Sequence, residues 1–267
     1  MMKKLTLILG IAVLLSACKQ SPKNASQEAS TTIPETSEKT PPTFQMDSVV
    51  VQDSVKVNPQ LTVAFSKQAL FFPSVTNKTI LDSLYSPNQT KVLDYNKMGL
   101  QNALAGDMKK YFEQYKKNTQ NYKVQFKQEW YENSSMKRVS HINDFLTLAY
   151  RADGFTGGAH GYFVENYKVF DLKENKVVHQ EDIFKNPKDS KWQKILMAHF
   201  TNKDQKEMLL VDTIEMNNNF YFDDHTITFV YNQYEITAYA AGVVEIKIPF
   251  DAVKSDLKDS FLERLKP

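Results

Sequence analysis

Apolar and polar positions alternate over much of the chain beyond its polar N-terminal part, and this period of two is typical of strands that bury one face. The alternation is cleanest over residues 243–249, where Val244, Ile246 and Ile248 share one face. Other segments are rich in the aromatic and β-branched residues that strands favour. The predicted strands are residues 48–57, 60–72, 122–132, 139–151 (as one strand or two), 162–170, 220–222, 226–231 and 243–249.

A second period, of three to four residues, predicts the helices. It is clearest over residues 95–117, where Leu100, Leu104 and Tyr111 lie on one stripe. Shorter helical segments are predicted at residues 77–85, 181–184, 190–202 and 252–265, with Asp251 as the N-cap of the last.

Helices are few in this pattern, and the strands follow one another along the chain. An α+β fold is therefore predicted, with largely antiparallel sheets and a few packed helices. We expect two intimately joined subdomains, an N-terminal α+β subdomain at residues 47–155 and a C-terminal α+β subdomain at residues 156–267.

The first 46 residues have a different composition. Residues 1–17 combine Lys3 and Lys4 with a low-polarity run, as a secretory signal peptide does. The sequence Leu-Ser-Ala-Cys that ends at Cys18 resembles the bacterial lipoprotein box, and this resemblance implies cleavage before Cys18 and acylation of it. The alternative is an ordinary Cys18 thiol in a signal peptide cleaved elsewhere. Residues 18–46 are rich in Ser, Thr, Pro and Lys, so a lipidated cysteine followed by a flexible tether is predicted.

Cysteine usage and charge limit the possible partners. Cys18 is the only cysteine, so the fold is expected to stand without disulfides. Loss of Lys3 and Lys4 with the signal peptide leaves 31 basic and 31 acidic residues, which argues against a nucleic-acid-binding protein. We expect a monomer in the cell envelope, lipid-anchored to a membrane on the periplasmic or outer-membrane face.

A glycine-dense loop at residues 156–161 is the first candidate recognition site. It holds three of the eight glycines of the chain, among them Gly157 and Gly158, and it lies between two predicted strands. Glycines there indicate positive φ angles in a tight turn between neighbouring strands. His160 is either a pH-sensitive hydrogen-bond donor in a recognition loop or a residue that bonds a neighbouring backbone carbonyl and fixes the turn.

A second candidate is the tyrosine-rich segment at residues 234–242. Tyr234 and Tyr239 can stack on sugar rings or anchor a protein interface, or they can hold the loop against the sheet. The chain lacks a Gly-x-Ser-x-Gly elbow, a phosphate-binding glycine loop and a zinc helix, and its five histidines have no metal spacing. We therefore assign no catalytic residue, no metal ligand and no cofactor.

These two segments together resemble a known family. The Gly-Gly-Ala-His of residues 157–160 is similar to a segment of the extracellular domain shared by the anti-sigma factor RsiV and the peptidoglycan deacetylase PdaC. Residues 234–242 resemble the Tyr-Glu-Ile…Tyr-Ala-x-Gly segment of the same domain. The resemblance implies an α+β domain in two parts, of which residues 156–267 are the RsiV-like part, a domain of unknown function.

In RsiV the domain is a lysozyme receptor, and in PdaC it accompanies a separate catalytic domain. We expect this chain to have the domain alone, with neither anti-sigma nor deacetylase activity. The resulting hypothesis is a membrane-anchored envelope lipoprotein that is a non-enzymatic binding or sensing module for lysozyme or peptidoglycan fragments. The alternatives are a hydrolase of cell-wall glycan, using His160 with Asp153 or Glu165, and a purely structural envelope lipoprotein.

Overall fold

The computed structural model describes residues 44–119 and 125–266. The predicted signal peptide, Cys18 and most of the predicted tether lie outside these residues, as does the start of the strand predicted at residue 122. These described residues belong to one compact unit.

The larger of two sheets has six strands in sequential order. Its strands are β1 (Asp47–Asn58), β2 (Leu61–Phe71), β3 (Gln128–Ile142), β4 (Phe145–Phe155), β5 (Tyr162–Asp171) and β6 (Lys176–Val178). All neighbours are antiparallel except β2 and β3, which run parallel. Because parallel neighbours need a crossover connection, the first two helices lie between these strands in the sequence.

These helices are α1 (Lys78–Tyr85) and α2 (Lys97–Asn118). Asn77 and Asn96 cap their N-termini, since each side-chain oxygen accepts the backbone N–H of the third residue of the helix. Their apolar stripes bury Leu84, Leu100 and Leu104 in a cluster with residues of β2, β3, β4 and β5. One face of the larger sheet is thus covered by helices.

The smaller sheet consists of β7 (Phe220–Phe222), β8 (Thr226–Tyr231) and β9 (Val244–Pro249), all antiparallel. The shorter helices of this half of the chain are α3 (Gln180–Ile183), α4 (Lys191–His199), α5 (Lys203–Lys206) and α6 (Asp259–Leu265). A second hydrophobic cluster joins the two sheets: Phe145 and Val169 of the larger sheet pack with side chains such as Phe222 and Ile248 of the smaller one.

The α+β fold with largely antiparallel sheets is confirmed. The single long helix predicted for residues 252–265 is wrong, because residues 250–256 form a 3₁₀ helix with a kink at Val253, and α6 begins only at Asp259. Asp251 lies inside the 3₁₀ segment and caps no helix. The predicted subdomain boundary at residue 155 stays a prediction; the structure adds that it falls in the turn between the paired strands β4 and β5.

Candidate functional site

The glycine-dense loop is the turn from β4 to β5, which are antiparallel neighbours. Gly157 and Gly158 have φ angles of 91° and 98°, as the local sequence predicts. A Cβ atom on Gly157 would lie 3.1 Å from the Trp130 ring, so both the backbone angle and the space favour glycine. The turn therefore has a defined shape and presents the residues that follow it, Ala159 and His160, at the surface.

His160 is exposed, and its ring packs against a tyrosine from the other half of the chain. Its ring centroid lies 4.0 Å from that of Tyr239, at an interplanar angle of 29°. The Nδ1 atom of His160 is 2.8 Å from the carbonyl oxygen of Gly161, and the Tyr239 hydroxyl donates a hydrogen bond of 3.0 Å to the same oxygen. One carbonyl thus holds the two side chains in place.

Tyr234 continues this arrangement. Its side chain is 60% exposed, and its ring centroid lies 5.8 Å from that of Tyr239. Its backbone has a positive φ of 66°, and its N–H donates to the carbonyl of Thr237 within the same tight loop. His160, Tyr239 and Tyr234 therefore form a row of three rings at the surface, and we call these three side chains the aromatic row.

The fold thus brings the two sequence segments into contact, although they are more than 70 residues apart. The placement of His160 contains elements of both interpretations of this residue: the imidazole does contact a neighbouring backbone carbonyl, and its ring remains accessible to solvent. Tyr239 likewise holds its loop to the β4–β5 turn, and its half-buried ring lies next to Tyr234.

The carboxylates named for a hydrolase are bonded to other groups. Asp153 accepts a hydrogen bond of 3.1 Å from the Asn133 side chain. Glu165 accepts one of 2.7 Å from Arg151 and another from the Tyr167 hydroxyl. Between His160 and either carboxylate there is no hydrogen bond in the described part of the chain, so the acid–base pair required by that alternative is not assembled.

Two asparagines form a polar connection that sequence reasoning missed. Asn232 is buried, and its side-chain oxygen accepts the backbone N–H of Glu165 at 2.7 Å. Asn219 accepts the backbone N–H of Tyr167 at 2.6 Å and donates to the carbonyl of Glu165 at 3.0 Å. These amides bond the edge of β5 where no strand pairs with it. The run of three asparagines at residues 217–219 is the only local signal for this connection.

No helix in the part of the chain that the structure describes is both long enough and apolar enough to cross a membrane. This finding concerns residues 44–119 and 125–266 and does not bear on the predicted lipid anchor at Cys18.

The second half of the chain is similar to a known protein family. Residues 181–251 match the family model described as protein of unknown function (DUF3298). This range contains Tyr234 and Tyr239 and begins after His160. No curated protein matches the chain.

Two solved structures are similar to the chain as a whole. A DUF3298-family member from Bacteroides fragilis (BF2082) has a TM-score of 0.66 at 20% sequence identity, over 84% of this chain and 98% of its own. A DUF3298-family protein from Pseudomonas aeruginosa (PA4972) has a TM-score of 0.57 at 17% identity, over 84% of this chain and 97% of its own. Residues 181–251 therefore resemble the DUF3298 family, and the chain shares its fold with solved members of that family.

Proposed function

We propose that this protein is a cell-envelope lipoprotein, anchored to a membrane through Cys18, that acts as a non-enzymatic binding or sensing module for lysozyme or peptidoglycan fragments. The observation that carries the proposal is the aromatic row. Three rings from two distant segments stand side by side, and a shared backbone carbonyl holds two of them, His160 and Tyr239.

The chemistry of the aromatic row suits recognition. Tyrosine and histidine rings combine an apolar face with a polar edge, so they contact sugar rings or protein side chains while still forming hydrogen bonds. Tyrosine side chains also lose little conformational entropy on binding, and here the contacts of Tyr239 with His160 and Gly161 order the rings in advance. A preordered aromatic surface favours binding over catalysis.

The hydrolase alternative has less support. A glycan hydrolase of the usual kind needs two carboxyl groups facing each other across the scissile bond. Asp153 and Glu165 are bonded to Asn133, Arg151 and Tyr167 instead. Binding without bond cleavage requires no such pair, so we retain the binding module as the proposed function.

Calorimetric titration of the full-length protein in detergent micelles tests the proposal, with lysozyme and soluble muropeptides as separate ligands. We expect saturable binding to at least one ligand and at least tenfold weaker binding for His160→Ala and Tyr239→Ala. Phe126→Ala is the matched control, because Phe126 is also an exposed ring (66%) but does not contact the aromatic row. Absence of heat with both ligands, or equal losses in the control, would contradict the proposal.

The anchor is tested separately. Cys18→Ser removes the thiol to be acylated, and we expect the native protein to incorporate a labelled fatty acid and the variant protein to incorporate none. A native protein without label, or a variant labelled as strongly as the native protein, would show that the lipoprotein assignment is wrong, whatever the outcome of the binding experiment.

A further inference from the structure

A polar cleft lies on the helix-covered face of the larger sheet, and no residue of the aromatic row lines it. It consists of two cavities, one of about 680 Å³ and one of about 240 Å³, and both are lined by Pro87 and Asn166. We call the two together the Asn166 cleft. The larger volume falls within the range of about 300–1,000 Å³ that is usual for small-molecule sites.

The floor of the cleft is set by strand register. Lys67, Ser134, Ala152 and Val164 are partners across β2, β3, β4 and β5, so their side chains form one row on the same face. Along β5, Val164 is followed on this face by Asn166 and Lys168. The smaller cavity lies over the first row, and the larger one extends from Asn166 towards residues 211–219.

Several polar groups in this cleft have unused hydrogen-bonding capacity. The Ser134 hydroxyl is buried and has no hydrogen-bond partner. The Lys67 side chain is only 10% exposed; its ammonium lies 3.3 Å from Glu132 and 3.8 Å from Asp107. It donates no well-aligned hydrogen bond within the described residues. Buried polar groups are normally satisfied, so these groups point to a ligand or to water in the cleft.

Lys168 is a further group of this kind in the larger cavity. Its amine has neither a hydrogen bond nor an ion pair among residues 44–119 and 125–266, and burial lowers its pKa. Tyr162 lies on the floor of the smaller cavity. Its pKa is raised to about 12, mainly by burial and to a lesser extent by the nearby carboxylates of Glu132 and Asp153. Tyr162 therefore stays a neutral phenol that can donate or accept a hydrogen bond at physiological pH.

The charges that line the cleft nearly balance. Lys67 and Lys168 lie among three acidic side chains, Glu132, Glu215 and Glu235, whereas the guanidinium of Arg151, which borders the smaller cavity, is paired with Glu165 at 2.7 Å. A strongly charged ligand would therefore meet little net opposite charge here. A neutral ligand with many donors and acceptors can use both signs, because ammonium groups donate and carboxylates accept.

We propose that the Asn166 cleft binds an uncharged oligosaccharide. Its hydroxyl and amide groups would bond Ser134, Lys67 and Glu132, while its C–H faces pack on Tyr162 and Val164. The two adjoining cavities accommodate more than one sugar. The expectation that this glycan belongs to the cell envelope rests on the proposed function. The site itself shares no residue with the aromatic row.

The test is titration of the full-length protein in detergent micelles with the trimer of N-acetylglucosamine, which is uncharged, and with trigalacturonate, which is anionic. Ser134→Ala is the informative variant, because the hydroxyl makes no hydrogen bond in the fold and its loss should leave thermal stability unchanged. Ser135→Ala is the matched control, since the next residue on β3 faces the other side of the sheet. We expect the neutral trimer to bind and its Kd to rise at least fivefold in Ser134→Ala only.

Lys168→Met provides a second probe in the larger cavity, with the exposed Lys137→Met as its control. An equal Kd in all variants, stronger binding of trigalacturonate, or no binding of the trimer would overturn the assignment of the cleft. Trimer binding that is lost in His160→Ala but kept in Ser134→Ala would also overturn it, and would place the glycan on the aromatic row, leaving the proposed function intact. If the trimer binds and Ser134→Ala weakens its binding, but neither lysozyme nor muropeptides bind, only the proposed function is contradicted.

Discussion

The two ends of β5 meet the rest of the molecule through different chemistry. At its C-terminal end, Val169 packs in an apolar cluster together with Phe145 and side chains of the smaller sheet. At its N-terminal end, the backbone of Glu165 and Tyr167 is bonded by the side chains of Asn219 and Asn232. Apolar packing depends on area and shape, whereas each amide bond requires one particular geometry. The apolar end therefore supplies most of the stability, and the polar end sets the alignment of β5 beside the candidate sites.

The largest expected effect is at the apolar end. Phe145 is 3% exposed and packs edge-on against Phe222 with ring centroids 5.5 Å apart. Phe145→Ala should lower the free energy of unfolding by about 3–5 kcal/mol, through lost transfer energy and a cavity. Urea unfolding measures this change. Phe126→Ala, at an exposed position, should change the free energy of unfolding by less than about 0.5 kcal/mol. A comparable loss in both variants would show that the apolar cluster around Phe145 does not stabilise the fold in the way described.

The ion pair of Arg264 with Asp171 also lies at the apolar end of β5. Asp171 is buried, and Arg264 donates to both of its carboxylate oxygens while its guanidinium lies 4.5 Å above the Phe145 ring. Arg264→Met should cost on the order of 3 kcal/mol, because it leaves a buried carboxylate without its cation. The exposed Arg138→Met is the control, and equal unfolding free energies for the two variants would show that the pair contributes nothing.

The same pair predicts a pH dependence. Burial raises the pKa of Asp171, but hydrogen bonds from Arg264 and from backbone N–H groups lower it more, so the pKa lies below its usual value in the folded state. Its stabilising effect is thus complete above the unfolded-state pKa of about 3.9 and is lost as the pH falls through the folded-state pKa. Unfolding free energies between pH 5 and pH 2 should fall more steeply for the native protein than for Asp171→Asn. Parallel curves would contradict this prediction.

At the polar end the expected effect is smaller. Asn219→Ala removes the partners of the Tyr167 N–H and the Glu165 carbonyl, and should cost about 1–3 kcal/mol. The exposed Asn186→Ala should be neutral. Amide hydrogen exchange at Tyr167 is the more specific measurement. In Asn219→Ala this amide should exchange faster, and by more than the loss of global stability alone would explain. Unchanged protection of Tyr167 would show that this end of β5 is held in another way.

The smallest effect concerns the turn that precedes β5. Gly157→Ala places a methyl group 3.1 Å from the Trp130 ring at a φ of 91°, and should destabilise by about 1 kcal/mol or more. Gly106→Ala has open space within α2 and should stabilise by about 0.5–1 kcal/mol, because alanine is the better helix former. Thermal melts of the two variants should move in opposite directions. Shifts of the same sign would mean that the turn tolerates a side chain.

The fold was predictable to the extent that it depends on local patterns. The period-two alternation of residues 226–231 and 243–249 matches β8 and β9, and the three- and four-residue spacing matches α2. Prediction failed for the C-terminal helix, because tertiary contacts break it: the backbone N–H of Lys258, between the two helical segments, donates to the carbonyl of Ile183. A local apolar spacing carries no information about such a distant partner.

The candidate sites show the same division. The glycines of the β4–β5 turn indicated positive φ angles, since few other residues adopt them, and Gly157 and Gly158 have them. The aromatic row was predictable only as two separate segments. The Asn166 cleft was not predictable at all, because Lys67, Ser134 and Lys168 come from three strands whose register alone aligns them.

The sequence by itself determined which faces of the strands are apolar, where the β4–β5 turn needs glycine, and where the polar N-terminal part ends, because these properties arise between residues close together in the chain. Only the tertiary structure decided that Tyr239 reaches the carbonyl of Gly161 and that Asn219 and Asn232 bond the edge of β5. These contacts join residues 52 to 78 positions apart. They depend on how two sheets pack, which is set by the sum of many weak apolar contacts rather than by any local pattern.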